Sequence, residues 1–308
     1  MHNMISMKVL NLLRWKNLLL IILVQTLIKY ALFPVFQVDT ALQDWQFVLL
    51  VLATICLASA GNIINDIYDV ETDSINKPDR VIIGKYISEK TGYSIFITLN
   101  VIGVAIGFYL SHAVNKSGFF ALFVIISVLL YLYASYLKRT FLIGNITISV
   151  LVSLSLIIVG LYDLIPVITF ENQDNQRLVF KLLLEYAGMA FVLNFIREII
   201  KDIEDIDGDH ASGMQTLPVI IGRSRASKIA FILSFLPLGI LVYYVIMVLY
   251  NKPLEVGYFT FLIIGPLVYV IIELFSAKTK KEHRKISNAL KLVMLTGVLS
   301  LLLYPIML

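Results

Sequence analysis

Residues 46–80 read "QFVLLVLATICLASAGNIINDIYDVETDSINKPDR" and join an apolar run to a strongly acidic one. The apolar part has the length of about 20 residues that a helix needs to cross a membrane. Five acidic residues follow it, all within 62–80. Ionised carboxylates next to lipid cost free energy unless something neutralises them. The stretch therefore predicts a membrane-spanning helix that ends in a functional acidic site.

The composition of the whole chain agrees with this reading. Of its 308 residues, 59% are hydrophobic and 15% are charged, and the mean hydropathy is +0.86. A water-soluble domain of this size does not need so much apolar surface, so we expect a polytopic membrane protein. The single cysteine, Cys56, excludes an internal disulfide framework. No long linker divides the chain, which predicts one domain over 1–308. No nucleic-acid partner is expected.

Apolar stretches of roughly 20 residues occur nine times along the chain. They predict an all-α membrane protein, in which nine transmembrane helices form a bundle with a central cavity and a cytoplasmic cap. The predicted helices cover 17–36, 46–67, 92–112, 117–136, 143–165, 178–200, 226–250, 254–276 and 286–307.

Lysines and arginines are distributed unevenly between alternate loops. The N-terminus and the loops after predicted helices two, four, six and eight carry nineteen of them, whereas the other loops carry only Lys116, Arg177 and Lys252. Positive charge in short loops marks the cytoplasmic side. We therefore expect a multi-pass protein of the cytoplasmic membrane, with its N-terminus and its acidic stretch in the cytoplasm.

Two acidic ladders repeat one spacing. The first consists of Asn62, Asp66, Asp69 and Asp73 and the second of Glu198, Asp202, Asp205 and Asp209, at offsets 0, 4, 7 and 11 in both. On an α-helix such residues span an arc of roughly 60°. A solvated helix face is the alternative, but the dipole disfavours negative charge at the C-terminal end of a helix, where both ladders lie. The repetition favours a function.

Carboxylates with asparagine offer the hard oxygen ligands that suit Mg²⁺, which usually bridges a few carboxylates to substrate phosphates. The four histidines are scattered, so no zinc-type ligand spacing is present in the sequence. Two ladders that face one another across a pocket would hold Mg²⁺ with a diphosphate between them. Cations predicted on the same side fit this arrangement: Lys77, Arg80, Lys138, Arg139, Arg197, Lys201 and Arg223.

The sequence has neither a P-loop nor a Gly-x-Gly-x-x-Gly pattern, so a nucleotide phosphate donor is not indicated. An apolar cavity beneath a diphosphate site suits a polyprenyl diphosphate instead. Its head group would lie at the rim of the cavity and its isoprenoid tail between the helices.

At these residues the chain resembles the UbiA superfamily of intramembrane prenyltransferases, and the resemblance covers nearly the whole chain. The family's first motif, Asn-Asp-x-x-Asp-x-x-x-Asp, is matched by Asn65, Asp66, Asp69 and Asp73, and the Asn-x-Pro-x-Arg stretch after it by Asn76, Pro78 and Arg80. A Tyr-Ser-x-x-Leu-Lys-like element and its surroundings follow, with Tyr133, Ser135, Lys138 and Asn145. The second acidic motif is matched by Asp202, Asp205 and Asp209. Val81 stands where the family often has proline, which concerns the rigidity of the loop and leaves the metal ligands intact.

The resemblance implies a magnesium-dependent enzyme that transfers a prenyl group from a diphosphate to a lipophilic acceptor in the membrane. The metal ligands would be Asp66, Asp69, Asp73, Asp202, Asp205 and Asp209, and catalysis would depend on Asp66, Asp69, Asp202 and Lys138. The substrates would be bound by Asn62, Asn65, Lys77, Arg80, Tyr68, Tyr133, Arg197 and Lys201.

Several of these side chains also have an ordinary structural interpretation. Arg197 and Lys201 would set topology or pair with neighbouring acids. The tyrosines, with Tyr131, would either shelter an allylic cation or pack as an interfacial belt. Glu198 would act as a base for a hydroxyl acceptor or form a salt bridge to Arg197 or Lys201. Gly208 and Gly213 are expected to let the chain turn into the cap.

Within the superfamily, the second motif most resembles digeranylgeranylglyceryl phosphate synthases, which attach a geranylgeranyl chain to a hydroxyl of a prenylated glycerol phosphate. Prenyltransferases that act on quinone precursors, in the 4-hydroxybenzoate or menaquinone pathways, are the alternative. An ion transporter is the rival of another class, since acids in membranes also mark ion paths. A conduit needs polar groups through its whole depth, and Lys29, Lys181, Glu185 and Lys291 are instead expected to snorkel to the nearer surface.

Overall fold

The computed structural model describes residues 8–307, except for the side chains of Arg80 and Met307. Within that range the protein is helical, and its only extended pairing is an isolated bridge between Ile83 and Ile87. Nine helices of the described chain are long and apolar enough to cross a membrane, which confirms the prediction of an all-α membrane protein with nine transmembrane helices. They are α1 (Trp15–Val35), α2 (Asp44–Tyr68), α3 (Glu89–Ala113), α4 (Ser117–Ser135), α5 (Ile143–Val167), α6 (Gln173–Ala211), α7 (Arg223–Met247), α8 (Pro253–Ser276) and α9 (Lys280–Ile306).

Side-chain caps define where some of these helices begin. At the start of α3, Ser88 Oγ accepts a hydrogen bond from the backbone N–H of Thr91 over 3.1 Å. At the start of α9, the N–H of Thr279 donates to Glu282 Oε2 over 2.8 Å, and the N–H of Glu282 donates to Thr279 Oγ1 over 3.3 Å. These bonds satisfy backbone donors that have no partner inside the helix.

The two helices that carry the acidic ladders end differently. Helix α6 continues for 39 residues, so the whole second ladder lies on one helix, beyond the predicted boundary at residue 200. Helix α2 ends at Tyr68, and Asp69 adopts φ −94° and ψ 1° before the chain resumes as a short helix, Val70–Asn76. This break falls inside the first ladder, so its last carboxylate is carried by a second helix.

The buried core divides along α6. Leu183 and Ala187, from the first half of that helix, pack with α1 to α5, whereas Ile196 and Ile203 from its second half pack with α7 to α9. Large apolar side chains such as Phe275 remain 80% exposed on the outside of the bundle, where they suit contact with lipid. Helix α6 thus joins the two halves of the molecule.

The segments that join α2 to α3, α4 to α5, α6 to α7 and α8 to α9 meet at one end of the bundle. There the N–H of Gln215 donates to the carbonyl of Arg139 over 2.8 Å, and Lys280 Nζ donates to the carbonyl of Asn76 over 2.9 Å. Gly213 adopts a positive φ of 67° just after α6, as expected for a residue that turns the chain. The same expectation for Gly208 is wrong, because Gly208 lies inside α6.

Candidate active site

A cavity of about 1530 Å³ opens inside the bundle beneath these connecting segments. All six aspartates that the sequence predicted as metal ligands line it at one end. Away from the aspartates its wall is mostly apolar and includes Leu57, Leu130, Leu193 and Met294. The site therefore combines a charged head with an apolar chamber.

Asp69 is the best-connected carboxylate of the first ladder. Lys138 Nζ lies 2.5 Å from its Oδ1, and Asn65 Nδ2 donates to its Oδ2 over 2.6 Å. Lys138 Nζ also donates to Asn65 Oδ1 over 3.2 Å. Burial lowers the pKa of the Lys138 ammonium, and the Asp69 carboxylate opposes that shift. The break in the helix at Asp69 thus presents its carboxylate to a cation from another part of the chain.

Lys138 can reach Asp69 because a glycine lets two segments approach closely. Lys138 lies in the short turn Leu137–Arg139, directly before α5. A Cβ atom on Gly144 would lie 2.6 Å from the Lys138 Cα, so only glycine fits here without displacing the backbone of the turn. The neighbouring Arg139 is exposed, and the structure does not bring its side chain to the cavity.

Each carboxylate of the second ladder has a different partner. Asn145 Nδ2, from α5, donates to Asp202 Oδ2 over 2.7 Å. Lys77 Nζ, from the segment after the first ladder, lies 2.5 Å from Asp205 Oδ2. Asp209 Oδ2 accepts from Thr216 Oγ1 over 3.3 Å.

The two ladders are held together by Asn76 and Thr72. Asn76 Nδ2 donates to the carbonyl of Asp205 over 2.8 Å, and the N–H of Gly208 donates to Asn76 Oδ1 over 3.0 Å. Thr72 Oγ1 donates to Ser212 Oγ over 2.9 Å. A Cβ on Gly208 would lie 2.4 Å from Asn76 Nδ2 and 2.8 Å from the Thr72 carbonyl, so the two helices could not approach this closely with any larger residue.

The chemistry of the site fits Mg²⁺, although the carboxylates do not form a ready-made cage. Among residues 8–307, no three acidic, histidine or cysteine side chains converge closely enough to hold a metal by themselves. Asp205 Oδ1 is buried without a hydrogen-bond partner. Burial, together with the Asp69 carboxylate, raises the pKa of Asp73 to about 6. Such uncompensated carboxylates suit an ion that takes a few protein ligands and completes its shell with substrate phosphate.

Arg197 and Lys201 are drawn together by Glu198 rather than by the aspartates. Arg197 Nη1 lies 3.1 Å from Glu198 Oε1, and Lys201 Nζ lies 2.7 Å from Glu198 Oε2. Glu198 is buried and holds both cations, which is the salt-bridge role that the sequence offered as the alternative to a base. All three side chains nevertheless line the cavity.

The three tyrosines occupy different environments. Tyr133 lines the cavity. Tyr68 and Tyr131 do not line it, and their hydroxyl oxygens lie 3.2 Å apart in an exposed contact. Asn62 lines the cavity and donates to the carbonyl of Leu13 over 3.0 Å, so it anchors the start of α1.

Two further cations, Arg223 and Arg80, were predicted from the sequence to lie near the site. Arg223 lies 3.5 Å from the exposed Asp207 and outside the cavity lining. The side chain of Arg80 lies outside the described part of the structure, so its predicted contact with a diphosphate stays a prediction.

Arg14 belongs to the site but was not predicted there. Its Nη2 lies 2.9 Å from Asp66 Oδ1, and it lines the cavity from a backbone position with φ 54° and ψ 47°. In the sequence Arg14 reads only as a topology signal before the first apolar run. The positive φ and the long-range contact leave no trace in local spacing, so the sequence held no signal for this role.

Comparison with known proteins identifies the family of this chain. The chain matches the UbiA prenyltransferase family over residues 23–306. A digeranylgeranylglyceryl phosphate synthase of Korarchaeum cryptofilum is 32% identical over 271 residues, which cover 87% of this chain and 88% of the relative.

Solved structures share the fold. One described as digeranylgeranylglyceryl phosphate synthase in membranes has a TM-score of 0.61 at 21% identity and covers 97% of this chain and 99% of its own. A UbiA homologue from Archaeoglobus fulgidus, bound to GPP and Mg²⁺, has a TM-score of 0.54 at 18% identity. The match covers 96% of this chain and 99% of the homologue. The chain therefore belongs to the UbiA prenyltransferase family and is a multi-pass membrane prenyltransferase.

Proposed function

We propose that this protein transfers a geranylgeranyl group from its diphosphate to the free hydroxyl of geranylgeranylglyceryl phosphate, in a reaction that requires Mg²⁺. The observation that carries the proposal is the joining of two acidic ladders and an apolar chamber in one cavity. The relative from K. cryptofilum is named for that activity, and this chain covers 88% of its length. Structures of a UbiA homologue with GPP and Mg²⁺ support the donor class and the metal.

The donor would bind with its diphosphate between the two ladders. Asp66, Asp69 and Asp73 on one side, with Asp202, Asp205 and Asp209 on the other, would hold Mg²⁺, which makes the diphosphate a better leaving group. Lys138 and Lys77 already lie against these carboxylates and would contact phosphate oxygens once metal relieves them of that pairing.

The reaction exchanges one carbon–oxygen bond for another. The bond between C1 of the prenyl chain and the diphosphate oxygen breaks, and the diphosphate leaves with the electron pair. The acceptor oxygen then forms a bond to C1 and releases its proton. Glu198 is already engaged by Arg197 and Lys201, so the departing diphosphate is the better acceptor for that proton. Tyr133, in the cavity wall, would face the allylic cation.

The size of the cavity supports an acceptor with its own lipid tail. Pockets for one small ligand usually measure about 300–1,000 Å³. This cavity, of about 1530 Å³, leaves room for two chains side by side. A quinone precursor, such as 4-hydroxybenzoate, would leave much of that apolar space unfilled. Family membership likewise favours prenyl transfer over the ion transporter.

The orientation follows from charge. The ends of α2 and α6, which carry the ladders, lie at the end of the bundle where the lysine-rich and arginine-rich segments meet. By the positive-inside rule this end would face the cytoplasm, with the N-terminus on the same side. The connecting segments there would act as a cap that keeps water from the allylic cation. The whole chain, 1–308, would form one domain.

The proposal is tested by mass spectrometry of products. Purified protein receives geranylgeranyl diphosphate, Mg²⁺ and either geranylgeranylglyceryl phosphate or 4-hydroxybenzoate. We expect a product with two geranylgeranyl chains and no prenylated ring. A prenylated ring as the main product would overturn the acceptor assignment.

The role of the ladders is tested in the same assay with Asp66→Ala and Asp202→Ala, which should lose transfer. Asp207→Ala is the matched control, because Asp207 lies on the same helix as Asp202 but its side chain is 69% exposed and outside the cavity lining. Wild-type turnover in either ladder variant would remove that residue from the mechanism.

A further inference from the structure

Lys291 lies in the interior of α9 and lines the cavity. Its Nζ donates to Asn17 Oδ1, on α1, over 2.6 Å. Asn17 is neutral, and among residues 8–307 no carboxylate lies within ion-pair distance of Lys291. A charged lysine inside a membrane protein without an acidic partner marks a functional position.

Other cations surround Lys291. Its ammonium group is repelled by four nearby cations, Arg197, Lys16, Lys201 and Arg14. All four line the same cavity as Lys291 and Asn17. Cations from the start of α1, from α6 and from α9 thus meet in one part of the cavity.

The acids close to this group do not neutralise it. Glu198 is shared between Arg197 and Lys201, and Asp66 is taken by Arg14. Lys16 lies over the ring of Trp15, with its Nζ 5.7 Å from the ring centroid, and the described residues give it no carboxylate partner. Lys16, Lys291, Arg197, Lys201 and Glu198, which we call the basic pocket, together carry a surplus of three positive charges.

The wall below the basic pocket is apolar. One and two turns along α1 from Asn17, Ile21 and Val24 line the cavity. Met294 and Val298, about one and two turns along α9 from Lys291, do so too. An anionic head group held by the basic pocket would therefore have an apolar tail directly beneath it, along α1 and α9.

We propose that the basic pocket binds the phosphate monoester of the acceptor lipid, and that Lys291 is its central contact. This inference rests on the proposed function and adds the chemistry by which the acceptor is selected. Ammonium and guanidinium groups that converge on a phosphate dianion form strong charge-assisted hydrogen bonds. Lys201 is adjacent in sequence to Asp202 of the second ladder, so a phosphate held here would place a nearby hydroxyl close to the donor's diphosphate.

The basic pocket contains none of the six aspartates that would hold the metal, and this makes the inference testable without turnover. Equilibrium binding is measured in lipid nanodiscs with EDTA and without donor. The probes are geranylgeranylglyceryl phosphate and the same lipid without its phosphate. The variants are Lys291→Met, Lys291→Arg and, as a matched control on the same helix, the exposed Lys281→Met.

We expect the wild type and Lys281→Met to bind the phosphorylated lipid at least ten-fold more tightly than the alcohol. Lys291→Met should lose that preference, and Lys291→Arg should keep most of it. Equal affinity of the wild type for both lipids, or an unchanged preference in Lys291→Met, would overturn the inference.

Steady-state kinetics then distinguish the acceptor phosphate from the donor diphosphate. Lys291→Met should raise the KM for the phosphorylated acceptor about ten-fold and leave the KM for geranylgeranyl diphosphate within about two-fold. A rise confined to the donor KM would assign the basic pocket to the donor and refute the inference. A protein that binds the phosphorylated lipid as expected but transfers no prenyl group to it would support the pocket and refute the proposed reaction.

Discussion

Lys29 of α1 and Asp163 of α5 form an ion pair of 2.8 Å at the end of the bundle opposite the acidic ladders, with side chains only 6% and 0% exposed. Lys29 Nζ also donates to the carbonyl of Leu42 over 2.9 Å, and Asp163 Oδ1 accepts from the N–H of Leu42 over 3.0 Å. The pair therefore fixes the loop between α1 and α2 against α5. The expectation that Lys29 snorkels to the surface is wrong, because a buried acid neutralises it.

Removal of one partner of this pair should destabilise the protein strongly. Lys29→Met would leave Asp163 as a buried charge without its cation, at a cost of about 3–5 kcal/mol. We expect a clear fall in the midpoint of thermal unfolding in detergent, measured by the fluorescence of the two tryptophans.

The matched control is Lys181→Met on α6. Its partner Glu185 lies 4.0 Å away, and the two side chains are 75% and 55% exposed, so the unfolding midpoint should hardly change. If Lys29→Met unfolded at the same temperature as the control, the pair would not stabilise the fold.

Gly208 sets the distance between the two ladders. In Gly208→Ala the new Cβ would collide with Asn76 and Thr72, so the short helix Val70–Asn76 must move away from α6. We expect prenyl transfer to fall at least ten-fold, since a displacement of about 1 Å at a catalytic site can cost 10²-fold in rate. Product formation under saturating donor and Mg²⁺ measures the effect.

Gly188 provides the control on the same helix. A Cβ at Gly188 would meet nothing within 4 Å. Gly188→Ala should therefore keep full activity, and it should unfold at the same or a higher temperature because alanine favours a helix by about 1 kcal/mol over glycine. Equal activity of the two variants would show that close approach at Gly208 is not needed.

Much of this site could be predicted from local sequence, because helical periodicity alone places the second ladder on one face of α6 and brings Asn62 and Asp66 together at the end of α2. Five of the six predicted metal ligands also have side-chain partners that other chain segments supply, and those partners were harder to find. Arg14 pairs with Asp66 across 52 positions, Lys29 with Asp163 across 134, and Lys291 with Asn17 across 274. Such contacts depend on how helices pack, and neither spacing nor composition encodes that packing directly.

Lys138 should matter far more than its neighbour Arg139. Lys138→Met removes the ammonium that lies against Asp69, next to the proposed diphosphate site, so kcat/KM should fall by about 10²-fold or more, as when other preorganised electrostatic groups are removed. Arg139→Met alters an exposed side chain and should stay within about two-fold of the wild type. Initial rates at varied geranylgeranyl diphosphate compare the two, and equal effects would exclude a direct role for Lys138.

Substitutions of Tyr133 and Tyr131 distinguish the two roles that the sequence allowed for the tyrosines, shelter of an allylic cation and packing. Tyr133 lines the cavity, whereas Tyr131 is 41% exposed on the outside of the bundle and contacts Tyr68 there. A desolvated ring face stabilises a cation by about 2 kcal/mol, which corresponds to roughly 30-fold in rate. Tyr133→Leu should therefore lower kcat by about that factor, and Tyr131→Leu should not.

The phenylalanine variant identifies which part of Tyr133 acts. If the ring face shelters the allylic cation, Tyr133→Phe should retain most of the wild-type kcat, because the aromatic ring remains. A loss in Tyr133→Phe as large as that in Tyr133→Leu would assign the effect to the hydroxyl instead. Single-turnover rates of prenyl transfer are the measurement, because they report the chemical step without the release of a lipid product.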